Sequence, residues 1–199
     1  MSKFEFKKRF GQNFLQNDVV ADKIVDSINP SPNDLIVEIG PGAGAITKKL
    51  KKYNSNLMAF EIDEDTKKYL LPLEDDKTKI IYSDFLDADL KNTISTVNYD
   101  KLYIIGNLPY YITTPIIEKI IDSQVCPESI TIMVQKEVGE RFIARPHTKE
   151  YGYMTVLLNY WFDLEKIADV NRKDFYPVPK VDSMVIKLSK KEVAKIDYE

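Results

Sequence analysis

The sequence predicts an α/β fold, in which a mostly parallel β-sheet carries helices on both faces and ends in an antiparallel edge. Up to about residue 150, short apolar runs rich in β-branched residues alternate with stretches of helical spacing. Parallel strands need a crossover, usually a helix, so this alternation indicates a parallel sheet. Beyond about residue 150, three apolar segments follow one another without long helices, which indicates the antiparallel edge.

The predicted elements follow in chain order, beginning with a helix near 18–28. Five strands come next, at LIVEI (35–39), NLMAFEI (56–62), KIIYS (79–83), KLYIIG (101–106) and SITIMVQ (129–135). Three helices are predicted between them, near 44–53, 64–73 and 114–123. The antiparallel edge is assigned to 154–162, 164–170 and 183–188. The charged run 190–199 is predicted to carry little structure.

The amino-acid composition limits the classes of protein to which this chain can belong. A chain of 199 residues, 44% of them hydrophobic, can bury the core of one domain. A single cysteine, Cys126, excludes an internal disulfide, and a single histidine, His147, argues against a histidine-rich metal site, so no metal is expected. No signal segment is visible, and no apolar run approaches the roughly 20 residues of a membrane span. We therefore expect a soluble, cytoplasmic protein.

The charge of the chain is unevenly distributed. The net charge is −3, yet four basic residues of the first eleven stand against one acid and are interleaved with phenylalanines. These residues are Lys3, Lys7, Lys8 and Arg9 against Glu5, with Phe4, Phe6 and Phe10 between them. Such a basic-aromatic segment suits phosphate contact and base stacking. A solvated tail is the alternative.

A glycine-rich turn follows the first strand of the parallel sheet. Gly40-Pro41-Gly42-Ala43-Gly44 separates this strand from a helix, so the backbone can turn sharply and approach a ligand closely. Glu61 ends the next strand 21 residues beyond Gly40, a spacing at which a carboxylate meets ribose hydroxyls. No Lys-Ser/Thr pair follows the glycines, which disfavours a phosphate-binding P-loop. The pattern predicts a nucleotide-like ligand, with a purely structural turn as the alternative.

Two further strands end in polar residues at the same predicted edge. Asp84 follows the KIIYS strand, and we expect it to face an adenine amino group. The KLYIIG strand runs into Asn107-Leu108-Pro109-Tyr110, which offers an amide oxygen, a backbone carbonyl, a rigid proline and an aromatic face. This set matches an exocyclic aromatic amine, whose N–H groups need acceptors and whose ring needs a stacking partner. An ordinary Asn-Pro turn is the alternative.

Four spaced motifs resemble those of the rRNA adenine N6,N6-dimethyltransferases. They are the Glu-x-Gly-x-Gly-x-Gly turn from Glu38, Asn107-Leu-Pro-Tyr110, FGQNFL at 10–15 and FYPVPKVDS at 175–183. The resemblance runs from about residue 7 to 188. It implies a Rossmann-like class I fold with a mostly parallel seven-stranded sheet, and S-adenosylmethionine as the methyl donor.

The resemblance also implies roles for individual residues. Contact with S-adenosylmethionine is implied for Asn13, Leu15, Gly40, Gly42, Glu61, Ile62, Asp84, Phe85 and Asn107. The target adenine, flipped out of its stack, would meet Asn107, Leu108, Pro109 and Tyr110, with Phe175 as the second stacking wall. Tyr111 has no assigned role beyond packing beneath Tyr110.

The resemblance could be to either of two branches of this family. One dimethylates two adjacent adenosines near the 3′ end of 16S rRNA in the immature small ribosomal subunit; the other methylates 23S rRNA and confers macrolide resistance. FGQNFL, NLPYYI, MVQKEVGERF, KEYGYMTVL and FYPVPKVDS all favour the small-subunit branch. A non-catalytic RNA-binding assembly factor and a DNA adenine methyltransferase, with a related Asn/Asp-Pro-Pro-Tyr motif, remain alternatives.

Family members continue after the last strand into a small helical domain. This chain stops at Glu199, so we expect one catalytic domain over 1–199, monomeric, with that further domain absent or truncated. RNA contact beyond the catalytic residues is assigned to the basic-aromatic segment, 1–16, or to a second basic group. This second group consists of Lys136, Arg141, Arg145 and Lys149. Solvated faces are the alternative for both.

Overall fold

The computed structural model describes residues 12–109 and 111–191. Its strands are β1 (Phe14–Leu15), β2 (Leu35–Ile39), β3 (Asn56–Glu61), β4 (Thr78–Tyr82), β5 (Leu102–Asn107), β6 (Ser129–Gln135), β7 (Phe162–Val170), β8 (Phe175–Tyr176) and β9 (Ser183–Lys190). Its helices are α1 (Asp18–Asp26), α2 (Ala45–Leu50), α3 (Lys67–Leu70), α4 (Leu90–Ile94), α5 (Thr113–Asp122), α6 (Lys136–Phe142) and α7 (Tyr153–Trp161). Within these ranges, no helix is both long and apolar enough to cross a membrane.

The main sheet of the described chain has seven strands in the order β4-β3-β2-β5-β6-β9-β7. The strands from β4 across to β6 pair in parallel, whereas β9 is antiparallel to both β6 and β7. A mostly parallel sheet with an antiparallel edge was expected from the alternation of strands and helices, and it is confirmed. Separately, β1 and β8 form a two-stranded antiparallel pair.

Each face of the sheet is covered by its own hydrophobic cluster. Along β2 all five residues are buried, and alternate side chains enter different clusters: Val37 packs with α5, whereas Ile36 packs with α1 and α2. Strands buried on both faces read as continuous apolar runs, because neither face meets water. This explains why LIVEI could be recognised as a central strand from its sequence.

The expectation for 154–162 is wrong, because most of this run forms helix α7. Thr155 and Leu158 are buried, whereas Tyr153, Val156 and Tyr160 are exposed. Apolar residues therefore lie on both the covered and the exposed side of the helix, and the polar stripe that signals an amphipathic helix is missing. A continuous apolar run of this length is typical of a buried strand as well as of a helix.

The order of the strands creates a crevice at the middle of the sheet. From β2 the chain adds β3 and β4 on one side and then crosses to β5 on the other, and such switch points open a ligand site at the strands' carboxyl ends. Gly106 of β5 lies opposite Ile39 of β2, and a Cβ at position 106 would lie 2.8 Å from the Ile39 carbonyl oxygen. Glycine therefore allows the two strands to stay close where they end.

Candidate active site

A cavity lies at the carboxyl ends of β2, β3, β4 and β5, where the switch point predicts one. Its lining includes every residue expected to contact the cofactor: Asn13, Leu15, Gly40, Gly42, Glu61, Ile62, Asp84, Phe85 and Asn107. Leu108 and Pro109 line the same cavity. The structure thus brings together residues from five separate parts of the chain, while their contact with a ligand stays a prediction.

The glycine turn forms one wall of the cavity. Gly42 has a φ of 58°, a conformation that side chains disfavour, and a Cβ there would lie 2.9 Å from Cε1 of Phe14. Its backbone N–H donates to Oε2 of Glu61 at 2.9 Å. Glycine is needed at this position because the Phe14 ring lies directly against the turn.

Glu61 ends β3 with its carboxylate almost completely buried. Its Oε1 accepts a hydrogen bond from the Asp63 N–H at 2.8 Å, and its Oε2 accepts the one from Gly42. Burial raises the pKa of Glu61, while the hydrogen bonds from Asp63 and Gly42 oppose that rise. A carboxylate oxygen can accept more than one hydrogen bond, so the positioned carboxylate can still receive ribose hydroxyls.

The far side of the cavity combines a carboxylate with aromatic rings. Asp84 follows β4 and is half-buried, and its Oδ1 accepts from the Leu86 N–H at 2.9 Å. Phe85 is buried and packs edge-to-face on Phe60, with ring centroids 5.3 Å apart. Ile62 is exposed at the rim. An apolar surface with one oriented polar group suits a heteroaromatic base.

Asn107 closes the cavity at the end of β5. Its Nδ2 donates to the carbonyl oxygen of Asn13 at 3.1 Å, which fixes the orientation of the amide and leaves Oδ1 as the atom that can accept from a substrate. Leu108 is buried, and its N–H donates to the Met133 carbonyl at 3.1 Å. The Pro109 carbonyl accepts from the Ile112 N–H at 3.2 Å. These bonds hold the turn after β5 in one conformation.

Of the two predicted stacking residues, the structure describes only Phe175. Tyr110 lies outside the described residues. Phe175 is only 2% exposed, pairs with Leu15 across β1 and β8, packs in the cluster with α1 and α2, and is absent from the described lining of the cavity. The structure therefore does not bring the Phe175 ring to the cavity as an open wall, because the β1–β8 pair directs it into the core.

Several lining residues were missed in the sequence. Tyr111 was expected to pack beneath Tyr110, but it is 60% exposed and lines the cavity. Gln12 and Phe14 also line it, although the sequence assigned only their neighbours Asn13 and Leu15. The FGQNFL motif contains all four residues, and Gln12 and Asn13 precede β1, so the alternation of a strand does not apply to them.

A second carboxylate is buried close to the glycine turn. Glu38 of β2 is 1% exposed, and its Oε2 has no hydrogen-bond partner among the described residues. Burial raises the pKa of Glu38 to about 8, and the nearby charge of Glu61 adds to the rise. Glu38 is therefore mostly protonated near neutral pH, unlike an ordinary surface glutamate.

One of the two predicted RNA-contact surfaces lies mostly outside the described residues, and the other lies on and after α6. Residues 1–11, which include the basic-aromatic cluster, lie outside the described residues. In the second group, Arg141 pairs with Glu137 and Lys136 approaches Asp169 at 3.8 Å, whereas Arg145 and Lys149 are exposed. Two of the four charges are thus partly neutralised, and the role of the group in RNA contact stays a prediction.

Metal-ligating side chains do not cluster in the described part of the chain: no three histidine, cysteine, aspartate or glutamate residues there could hold a metal ion. Cys126 and His147 are both on the surface.

Comparison with solved structures identifies the fold. A dimethyladenosine transferase from Plasmodium falciparum is 29% identical, with a TM-score of 0.78 over 89% of this chain and 63% of that one. The 23S rRNA methyltransferase ErmE, at 24% identity, has a TM-score of 0.72 over 90% of this chain and 70% of its own. The expected Rossmann-like class I methyltransferase fold is confirmed.

Sequence comparison identifies the family. A relative from Clostridium acetobutylicum named ribosomal RNA small subunit methyltransferase A is 42% identical over 98% of this chain and 71% of its own length. A relative of the same name from Aster yellows witches'-broom phytoplasma is 44% identical over 92% of this chain and 69% of its own. The family model described as ribosomal RNA adenine dimethylase matches residues 3–199. The chain belongs to the ribosomal RNA adenine dimethylase family.

Proposed function

We propose that this chain dimethylates N6 of two adjacent adenosines near the 3′ end of 16S rRNA, with S-adenosylmethionine as methyl donor, during biogenesis of the small ribosomal subunit. The observation that carries the proposal is the convergence of the glycine turn, Glu61, Asp84 and the Asn107-Leu-Pro turn on a single cavity. The names of the most similar relatives support the choice of the small subunit.

The cavity fits a nucleoside-bearing methyl donor. Glu61 would receive the ribose hydroxyls, Asp84 the adenine amino group, and the glycine turn would lie against the rest of the molecule. When bound, S-adenosylmethionine supplies an electrophilic methyl group. The buried position of Glu61 excludes water from the hydrogen bonds that hold the ribose, which strengthens them.

The target adenine would enter from the side of Asn107. Its N6–H groups would donate to Asn107 Oδ1 and to the Leu108 carbonyl, and these acceptors favour the pyramidal nitrogen, whose lone pair is free to attack. The methylated nitrogen loses its proton to solvent. The turn after β5, held by its hydrogen bonds, aligns N6 with the methyl group, and this alignment accounts for most of the rate enhancement. No histidine is needed as a general base.

Two substitutions test how the adenine is stacked. Tyr110→Ala is expected to lower kcat/KM for RNA by about 10- to 100-fold, the scale of one lost base stack, with cofactor affinity nearly unchanged. For Phe175→Leu, whose ring is buried in the cluster with α1 and α2, we expect kcat/KM for RNA and cofactor affinity to fall together. Leucine is chosen at 175 because it fills most of the buried space. Steady-state methylation and calorimetric titration of S-adenosylhomocysteine provide the measurements.

Tyr110→Phe is the matched control for the first substitution, since it keeps the ring and removes only the hydroxyl. A lower kcat/KM for RNA with unchanged cofactor affinity in Phe175→Leu would instead identify Phe175 as the second stacking wall.

The assignment of the substrate is tested by transfer of radiolabelled methyl groups. We expect label to enter immature small subunits at two adjacent adenosines, with about two methyl groups on each. Mature small subunits, large subunits and bare DNA serve as parallel substrates. Preferential labelling of 23S rRNA or of DNA would overturn the assignment in favour of the related classes of enzyme, and binding to immature subunits without any transfer would indicate a non-catalytic assembly factor.

We further propose that the protein acts as a monomer in the cytoplasm, without a metal, and that residues 1–199 form one catalytic domain. The seven-stranded sheet with its two covered faces supports a single folding unit in the described part of the chain. Light scattering of the purified chain tests the monomer.

A further inference from the structure

We infer that Gln12 and Asp63 form a latch that holds the N-terminal strap, residues 12–17, across the cofactor cavity. The inference rests on the proposed function, because it takes the occupant of this cavity to be the methyl donor. Nε2 of Gln12 donates to Oδ2 of Asp63 at 2.6 Å, between residues 51 positions apart in the chain. Gln12 lines the cavity, as do Glu61 and Ile62 directly before Asp63, so this bond ties the strap to the cavity wall at the end of β3.

The strap is attached at its other end and in its middle by different means. At the far end, the Gln16 N–H donates to the Asp174 carbonyl at 2.7 Å, and Nδ2 of Asn17 donates to Oδ1 of Asp174 at 3.0 Å. In the middle, the Asn13 carbonyl receives Asn107 Nδ2. The Gln12–Asp63 bond attaches the strap on the β3 side of the cavity, where the ribose is expected.

Asp63 is well suited to this role because it is buried and connected to the site. It is 1% exposed, its Oδ1 accepts from the Asp65 N–H at 3.2 Å, and its own N–H donates to Glu61. Glu61 in turn holds the glycine turn through Gly42. A continuous series of hydrogen bonds thus runs from the strap to the turn, and it passes through the carboxylate expected to hold the ribose.

The strength of the Gln12–Asp63 hydrogen bond explains how the latch would affect release of the cofactor. A hydrogen bond to a buried carboxylate is stronger than one between neutral groups. Once the cofactor lies beneath the strap, the latch has to open before the cofactor leaves, so it slows dissociation. Gln12 and Asp63 are thus positioning residues, which act through the strap and through Glu61.

The test is Gln12→Glu, with Gln16→Glu as the matched control on the same strap. The substitution at position 12 places a second carboxylate against Asp63, with Asp65 and Glu61 as the neighbouring acids, whereas the Gln16 side chain is exposed. Near pH 8, calorimetric titration of S-adenosylhomocysteine should show affinity about 10- to 100-fold weaker for Gln12→Glu than for the control, the scale of losing a charge-assisted hydrogen bond.

Lowering the pH provides a readout that a general loss of structure would not give. Two carboxylates in contact share a proton readily, so at about pH 6 the Gln12→Glu affinity should recover towards that of Gln16→Glu. Equal affinities near pH 8, or a deficit that persists at about pH 6, would overturn the latch. Failure of the unaltered protein to bind S-adenosylhomocysteine would overturn the cofactor assignment itself.

Discussion

Replacement of Asn107 by alanine should lower kcat for methyl transfer by about 10²–10³, the usual consequence of removing one oriented polar contact from a transition state. The amide is the side-chain acceptor aimed at the cavity from the end of β5, and its Nδ2 is already occupied by the Asn13 carbonyl. Its loss removes both the proposed acceptor for N6 and one attachment of the strap. Single-turnover methylation at saturating cofactor isolates the first effect.

Asn107→Asp separates the two functions of this amide. A carboxylate keeps an oxygen at the acceptor position but can no longer donate to the Asn13 carbonyl. We expect it to retain clearly more transfer than Asn107→Ala while binding the cofactor more weakly than the unaltered protein. Asn159→Ala, on the exposed surface of α7, is the matched control for asparagine truncation. Turnover of Asn107→Ala near that of this control would refute the assignment of Asn107.

The fold was predictable wherever one local pattern decided the structure. Strands such as LIVEI are buried on both faces, so their sequences are apolar except for Glu38, and their position could be inferred. Helix α7 could not be inferred, because its exposed side carries Tyr153, Val156 and Tyr160 in place of polar residues. The segment 64–73 was expected to form one helix but contains only a four-residue helix, α3, between two 3₁₀ turns, with Pro72 in the second.

The sequence predicted which residues form the candidate site better than it predicted how their side chains are oriented. Residues at the ends of parallel strands must meet at one edge, so Gly40, Glu61, Asp84 and Asn107 could be grouped from the sequence. The burial of a side chain by contact with a distant segment leaves no comparable pattern in the sequence. Pairing of β1 with β8 turns Phe175 into the core, and nothing in FYPVPKVDS distinguishes this orientation from one that faces the cavity.

Glu38→Gln should make the protein more resistant to alkaline conditions. Burial raises the pKa of Glu38 from 4.5 to about 8 in the folded state, so between these values the folded chain holds a proton that the unfolded chain has released. The free energy of unfolding therefore falls as pH rises through this window, by about 1.4 kcal/mol per pH unit for one fully linked group. Glutamine has the same shape and never acquires the charge, so this contribution disappears.

The expected result is a stability difference that grows with pH. Denaturant unfolding at about pH 6 and about pH 8 should show Glu38→Gln gaining about 1–3 kcal/mol over the unaltered protein between the two conditions. Glu150→Gln, at an exposed position, controls for the change in net charge. A constant difference at both pH values would mean that Glu38 is ionised in the folded protein. In that case the charge of Glu38 would lie close to Glu61, and the carboxylate that we propose to bind the ribose would be held in place against that repulsion.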